Sequence, residues 1–376
     1  LVSPLITLFP IYVEKVLGES PRLSGDVRML FVAFGGLVAL PGGAICDVLG
    51  RKPAYLLAMS GVVAGGCLFL TRDPAVLYGL AVFGGLMFGL GAVAGQSYLM
   101  DSVPQRSLAI ATAAYFLTGT VGNAAGAFQF AWLAANTEST YADIGKLVLL
   151  GETVLVGAAA LWLPGLPRPA TARTVAGFAG GYAGLFRQTS VLALLALRFL
   201  PTFYWGCVTF LLNLLLFRLT GDEKLAGTYT AISSLLAAGC QLGTGRLVDR
   251  IGPHRPVLTA ITLVTVAALG QGLFAQSAAG LVLFGLLGAG AAWSLSITMT
   301  TLIQALSTEK TKGSLLGVTH AFWSAGFLTG TGLGSRAATW DDPGRTAFLL
   351  CGSGCALAIL CAWLVIRGIP RKVTTG

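Results

Sequence analysis

The sequence predicts an all-α membrane protein of twelve crossing helices in two six-helix bundles, with the first helix truncated at its N-terminus. Three observations predict it. Only 10% of the 376 residues are charged, 55% are hydrophobic and the mean hydropathy is +0.80, whereas soluble domains carry about 25% charged residues. The charges cluster in short islands between apolar stretches of about 17–25 residues, the length a helix needs to span a bilayer. One charged, glycine-bearing turn also occurs twice, about two hundred residues apart. The 51 glycines would weaken a soluble helical protein, but glycine is common where membrane helices approach closely.

Leu1–Gly18 is expected to be the latter half of helix 1, kinked at Pro4 and Pro10. Helix 2 is expected over Arg28–Cys46, helix 3 over Pro53–Leu70 and, after the turn Arg72-Asp73-Pro74, helix 4 to Met100. Helix 5 covers Ser107–Ala134, and a polar loop from Asn136 to Lys146 precedes helix 6 at Leu147–Leu163. Residues 164–189, rich in proline, arginine and glycine, lack an apolar span and form a linker between an N-terminal bundle (1–163) and a C-terminal one with a short tail (190–376). Helices 7 to 12 then read Ser190–Phe217, Leu225–Val248, Pro256–Ala275, Ala279–Leu306, Ser314–Ser335 and Arg345–Ile366.

More of the 24 lysines and arginines fall on the side of the doubled turn, the linker and the C-terminal tail than on the other, which makes that side cytoplasmic. The net charge of +9 forms no basic run and is explained by topology, so nucleic acid is excluded as a partner. The seven cysteines lie in or beside apolar runs without C-x-x-C spacing, as packing residues rather than metal ligands. No G-x-S-x-G, H-E-x-x-H or Walker sequence occurs, and Gly330-Thr-Gly332-Leu-Gly334 lacks a dinucleotide site's spacing. Neither an enzyme nor direct ATP use is expected, and neither a cofactor nor a metal.

The doubled turn reads Gly43-Ala-Ile-Cys-Asp47-Val-Leu-Gly50-Arg51-Lys52 between helices 2 and 3, and Gly245-Arg-Leu-Val-Asp249-Arg250-Ile-Gly252 between helices 8 and 9. Glycine, aspartate and glycine keep their relative positions in both. This resembles the signature of the major facilitator superfamily, and nearly the whole chain fits that plan. The resemblance implies transport by alternating access and a drug-efflux-like branch. It implies that Asp47 meets the N-terminus of helix 11, that Arg51 orients Asp47, and that the glycines allow close packing. A carboxylate near a helix N-terminus gains about 0.3–1 kcal/mol, more when partly buried. The second copy has Pro253 where the first has Arg51, which implies an unequal gate led by the first copy. Many proton-driven exporters of the family carry an arginine shortly before a G-x-G in helix 4. Here Gly85 stands at that position, before Gly89-Leu-Gly91.

Candidates for a substrate cavity or for ion coupling lie within the spans. Arg198, about ten residues into helix 7, shares a face with Thr202, Trp205 and Thr209. A charge at mid-membrane needs a partner or water, so Arg198 either binds an anionic group in a cavity or caps carbonyls near Pro201. His320, with Trp323, Ser324 and Phe327 on nearby turns, is either a proton carrier or a packed histidine. Glu152 is either a proton relay or an interfacial residue about two turns from the outer surface. Trp293, Ser296, Thr300 and Gln304 form a stripe on helix 10, as do Tyr115, Gly119, Gly122 and Gly126 on helix 5, where Asn123 adds an amide.

The expected function is secondary active transport, with proton-coupled efflux of amphipathic or drug-like compounds leading. Uptake or facilitated passage of a small metabolite, with an anion favoured by Arg198, and a non-transporting sensor or scaffold are the alternatives. The expected partners are a small-molecule substrate, a coupling proton or other ion and the lipid bilayer. A monomer in the plasma membrane is expected.

Overall fold

The computed structural model describes residues 9–19, 21–136, 141–165, 184–220, 223–308, 311–337, 340–342 and 344–369. They are helical almost throughout. α1 is a turn at Phe9–Tyr12 that widens into a π-helical stretch, Val13–Leu17. α2 is Pro21–Leu49, and α3 is broken into Arg51–Met59, a 3-10 turn at Ser60–Val62, and Val63–Cys67. α4 (Pro74–Ser102), α5 (Leu108–Asn136), α6 (Tyr141–Trp162), α7 (Thr189–Thr220) and α8 (Glu223–Ile251) follow. α9 (His254–Leu273), α10 (Ala278–Leu306), α11 (Lys312–Ala337) and α12 (Arg345–Gly368) complete the chain. Among the described residues seven helices are long and apolar enough to cross a membrane. Their outward faces carry bare apolar side chains, with Leu161 and Trp162 each 82% exposed, as a lipid solvent permits.

Most boundaries fall within a few residues of the hydropathy reading, because apolar periodicity sets them. Three elements differ. α2 starts at Pro21 and not at Arg28, with the proline in its first turn, where its missing N–H costs nothing. α6 starts at Tyr141 and not at Leu147: Asp143 in its first turn favours the helix dipole, and Lys146 pairs with Asp143 at 3.1 Å, so part of the expected polar loop is helix. α3 is interrupted where Ser60 and Gly61 lower helix propensity and Gly61 presses on Met87 of α4.

Both copies of the doubled turn use their last glycine in the same way. Gly50 (φ +90°) and Gly252 (φ +78°) adopt the left-handed region, which a side chain would strain. Each ends its helix by donating its N–H to the carbonyl four residues back, Cys46 O at 3.0 Å and Val248 O at 2.9 Å.

The chain forms two compact units: Leu1–Ser102 with Thr118–Phe178, and Val103–Leu117 with Ala179–Gly376. The first turns of α5 thus belong to the second unit. In the first unit α2 and α4 meet backbone to backbone, since a Cβ on Gly85 would strike Phe31 O and one on Gly89 would strike Gly35 O. This contact excludes an arginine at position 85. In the second unit Gly326, Gly330 and Gly334 of α11 lie against the backbone of Phe199, Phe203 and Cys207 in α7, the close approach that small residues permit. Gly330→Leu is expected to cost at least about 3 kcal/mol, because the obstacle is backbone and cannot repack. Loss of a monodisperse, thermally cooperative protein would show it; an unchanged melting midpoint would contradict it. All seven cysteines are free, and Cys46, Cys207, Cys351 and Cys355 are buried.

Candidate functional site

In the first unit the turn residues build a charge triad. Arg51 follows Asp47 by four residues, one helical turn apart in spacing, and donates from Nη1 to Asp47 Oδ1 at 2.8 Å. Its Nε donates to Asp101 Oδ2, also at 2.8 Å. Asp101 stands at the end of α4, so one guanidinium ties α2, α3 and α4. The guanidinium is planar with separate donor edges, which lets it hold two carboxylates at once. Its side chain is 6% exposed, against 19% for Asp47 and 25% for Asp101, so water screens the triad only in part. Lys52 is half-buried beside it, and Gly43 is buried in the last turns of α2.

In the second unit the acid of the second copy caps a helix. Asp249 Oδ1 accepts from Ala109 N at 3.2 Å and Oδ2 accepts from Ile110 N at 3.0 Å. These amides open α5, where four N–H groups lack partners within their own helix. Gly245, one turn earlier, permits the approach: a Cβ there would stand 2.8 Å from Ala113 Cβ and 3.0 Å from Ala109 O. The helix-terminus role that the resemblance gives to Asp47 is thus filled within this unit by Asp249. Asp249 reaches backbone donors directly, in a contact that uses no side chain at position 253. Arg250 is exposed. Asp249→Asn is expected to loosen the cap by about 1 kcal/mol, read as faster hydrogen exchange at the Ala109 and Ile110 amides; unchanged exchange would remove the cap role.

The second unit also gathers several of the apolar-span candidates. Trp205 of α7 meets Trp293 of α10 edge to face, centroids 6.5 Å apart at 76°. Trp293 meets Phe116 of α5 at 6.1 Å, and Phe116 meets Tyr115 at 5.4 Å. On α11 a ladder of stacked rings runs from His320 to Trp323 (5.3 Å, 19°) and on to Phe327 (5.6 Å, 18°). Such pairs add about 0.5–1.5 kcal/mol beyond their buried area. His320 is buried and within electrostatic range of Arg198. Arg198 is half-buried about a third of the way along α7, and no acid among the described residues pairs with it. The Thr202 hydroxyl donates to Arg198 O at 2.7 Å within the helix.

Two candidates fall apart from this group. Glu152 is 1% exposed and packed between α6 and α3 in the first unit, and the earlier start of α6 puts it near mid-helix. Asn123 lies outside the residues whose side chains are described. Sequence reasoning missed Asp101 and Phe116. An acid closing helix 4 on the side of the doubled turn was the available signal for Asp101. Among the described residues no cluster of three histidines, cysteines or acids is placed to hold a metal.

Twelve helices in two six-helix bundles, with an acid–glycine turn at the same place in each, define a multi-pass membrane transporter. The chain belongs to the Major Facilitator Superfamily, whose model matches residues 2–304 and 194–375. Members of this family move small molecules through membranes and are not enzymes. No curated protein matches the chain significantly. Among solved structures it is similar to the human organic anion transporter MFSD10 (TETRAN), with TM-score 0.78 and 18% identity over 94% of this chain and 88% of that one. It is similar to the proton:xylose symporter XylE, with TM-score 0.78 and 13% identity over 98% and 92%. A bacterial homologue of the iron transporter ferroportin, in an outward-facing state, gives TM-score 0.73 and 15% identity over 97% and 95%. At these identities the likeness is one of fold.

Proposed function

We propose that the protein is a secondary active transporter that exports small amphipathic compounds by alternating access, driven by inward proton flow. The observation that carries this reading is the aromatic face of the second unit, where Trp205, Trp293, Phe116 and Tyr115 form one connected cluster. Flat aromatic surfaces with few charges suit apolar, ring-bearing substrates. The Asp47–Arg51–Asp101 triad and the Asp249 cap supply breakable polar contacts, the kind that bias a conformational equilibrium without touching substrate. The excess of basic residues supports a cytoplasmic placement of the doubled turn, linker and C-terminus, in the plasma membrane. The working unit is a monomer.

Arg198 favours a second reading, uptake or facilitated passage of an anionic metabolite, because a membrane cation with no acid partner among the described residues is suited to a carboxylate or phosphate. Proteoliposomes separate the two. With an imposed pH gradient, the first reading predicts that amphipathic compounds move against the direction of proton flow. Anions moving with the protons, or independently of them, would favour the second. No flux of any compound in a broad panel would contradict both.

A further inference from the structure

Helix α6 crosses α3 at a pair of glycines. A Cβ on Gly66 would stand 2.9 Å from Gly145 O, and one on Gly145 would stand 2.8 Å from Gly66 O. Two turns along the same face of α6, as helical spacing requires, comes Glu152. Its side chain is 1% exposed, and neither carboxylate oxygen has a hydrogen-bond partner among the described residues. Gly65 lines the space it occupies: a Cβ there would stand 3.7 Å from Glu152 Oε1. Several titratable groups of the neighbouring helices are engaged elsewhere. On α6 itself, Lys146 pairs with Asp143, both exposed. On α1, the Tyr12 hydroxyl donates to Thr71 O at 2.7 Å, and its ring lies against Tyr141 at the start of α6. On α3, Arg51 and Lys52 stand at the far end of the helix, and Arg51 is held by two aspartates. The Cys67 thiol lies within electrostatic range of Glu152.

A carboxylate without donors inside a membrane is costly as an anion and far cheaper as the neutral acid. Glutamine or leucine would fill the same volume without that liability, so the acid is best understood by what it can bind and release. The helix facing it is the broken one: α3 turns 3-10 at Ser60–Val62, immediately before the short piece Val63–Cys67 that covers Glu152. We propose that Glu152 is a proton-binding site of the first unit, loaded as the carboxylic acid while the α3–α6 crossing is closed. When water reaches it, the O–H bond breaks, the proton passes to water as hydronium, and the carboxylate remains until it is reloaded. This deepens the proton-coupled reading and rests on it only for transport.

The full chain in lipid, studied by infrared difference spectroscopy across a pH titration, tests the site without any substrate. A carboxylic acid C=O band is expected at neutral pH, absent from Glu152→Gln and restored at a shifted frequency in Glu152→Asp. A band that survives in Glu152→Gln, or a wild-type spectrum showing only ionised carboxylates, overturns the proposal. A transport arm uses a fluorescent amphipathic cation in proteoliposomes. With one proton coupled, each pH unit sustains about a tenfold substrate gradient; Glu152→Gln should sustain none while still exchanging the dye. Full gradient drive in Glu152→Gln also overturns it. Absence of flux in the wild type would count against the transport reading alone, since the infrared bands decide the proton site independently.

Discussion

Replacing Arg198 by alanine is expected to lower transport on the order of a hundredfold or more without lowering stability. Removing one partner of a buried charge pair costs about 2–5 kcal/mol of binding, and here the partner would be the substrate's own polar or anionic group. Stability moves the other way. No acid among the described residues pairs with Arg198, so the folded protein already bears a desolvation penalty that alanine relieves. A raised or unchanged melting midpoint together with lost flux is the expected signature. If the guanidinium instead caps carbonyls near Pro201, the midpoint falls and flux persists, because the helix and not the ligand loses a partner. Arg198→Lys keeps the charge but not the planar fork, and an intermediate flux is expected.

Replacing Arg51 by alanine is expected to destabilise the first unit by about 2–3 kcal/mol. Breaking a fully buried ion pair costs about 3–5 kcal/mol because the abandoned charge stays desolvated; Asp47 and Asp101 keep some water, which puts the effect at the lower end. Two carboxylates converge on one guanidinium at 2.8 Å each, and without it they repel. Thermal unfolding followed by tryptophan fluorescence checks the cost. Double-mutant cycles with Asp47→Asn and Asp101→Asn should return coupling to both acids. Coupling to Asp47 alone would reduce the triad to a pair. Arg51→Lys should fall between wild type and alanine, since an ammonium is a point charge and lacks the fork.

Helix positions were legible in the sequence because lipid demands continuous apolar stretches, and that demand leaves a strong periodic signal. Gly50 and Gly252 were legible as a matched pair, though their left-handed backbone was not. What escaped depends on approach between helices. Gly85 looked like a missing arginine, but the nearness of Phe31 O leaves no room for a side chain. The break in α3 follows from Gly61 against Met87, a contact no local pattern announces. The onset of α6 was misplaced because Asp143 and Lys146 read as loop, whereas their pairing and the helix dipole favour a helix. That six-residue difference moved Glu152 from near the helix end to near mid-helix. Among the site candidates, spacing alone put Arg198, Thr202 and Trp205 on one face. It gave no hint that Trp293 and Phe116 extend that face across three helices.

Alternating access predicts that one cavity position opens to each side of the membrane in turn, and thiol labelling reads this. In a protein without its seven native cysteines, Ser296→Cys on α10 shares a stripe with Trp293. A membrane-impermeant thiol reagent should reach it from either face in turn, with a ratio that substrate changes. Asp47→Asn should change the ratio of labelling from the two faces, because the Asp47–Arg51–Asp101 triad is proposed to bias the conformational equilibrium. Reaction from one face only, unaltered by substrate or by Asp47→Asn, would contradict the account.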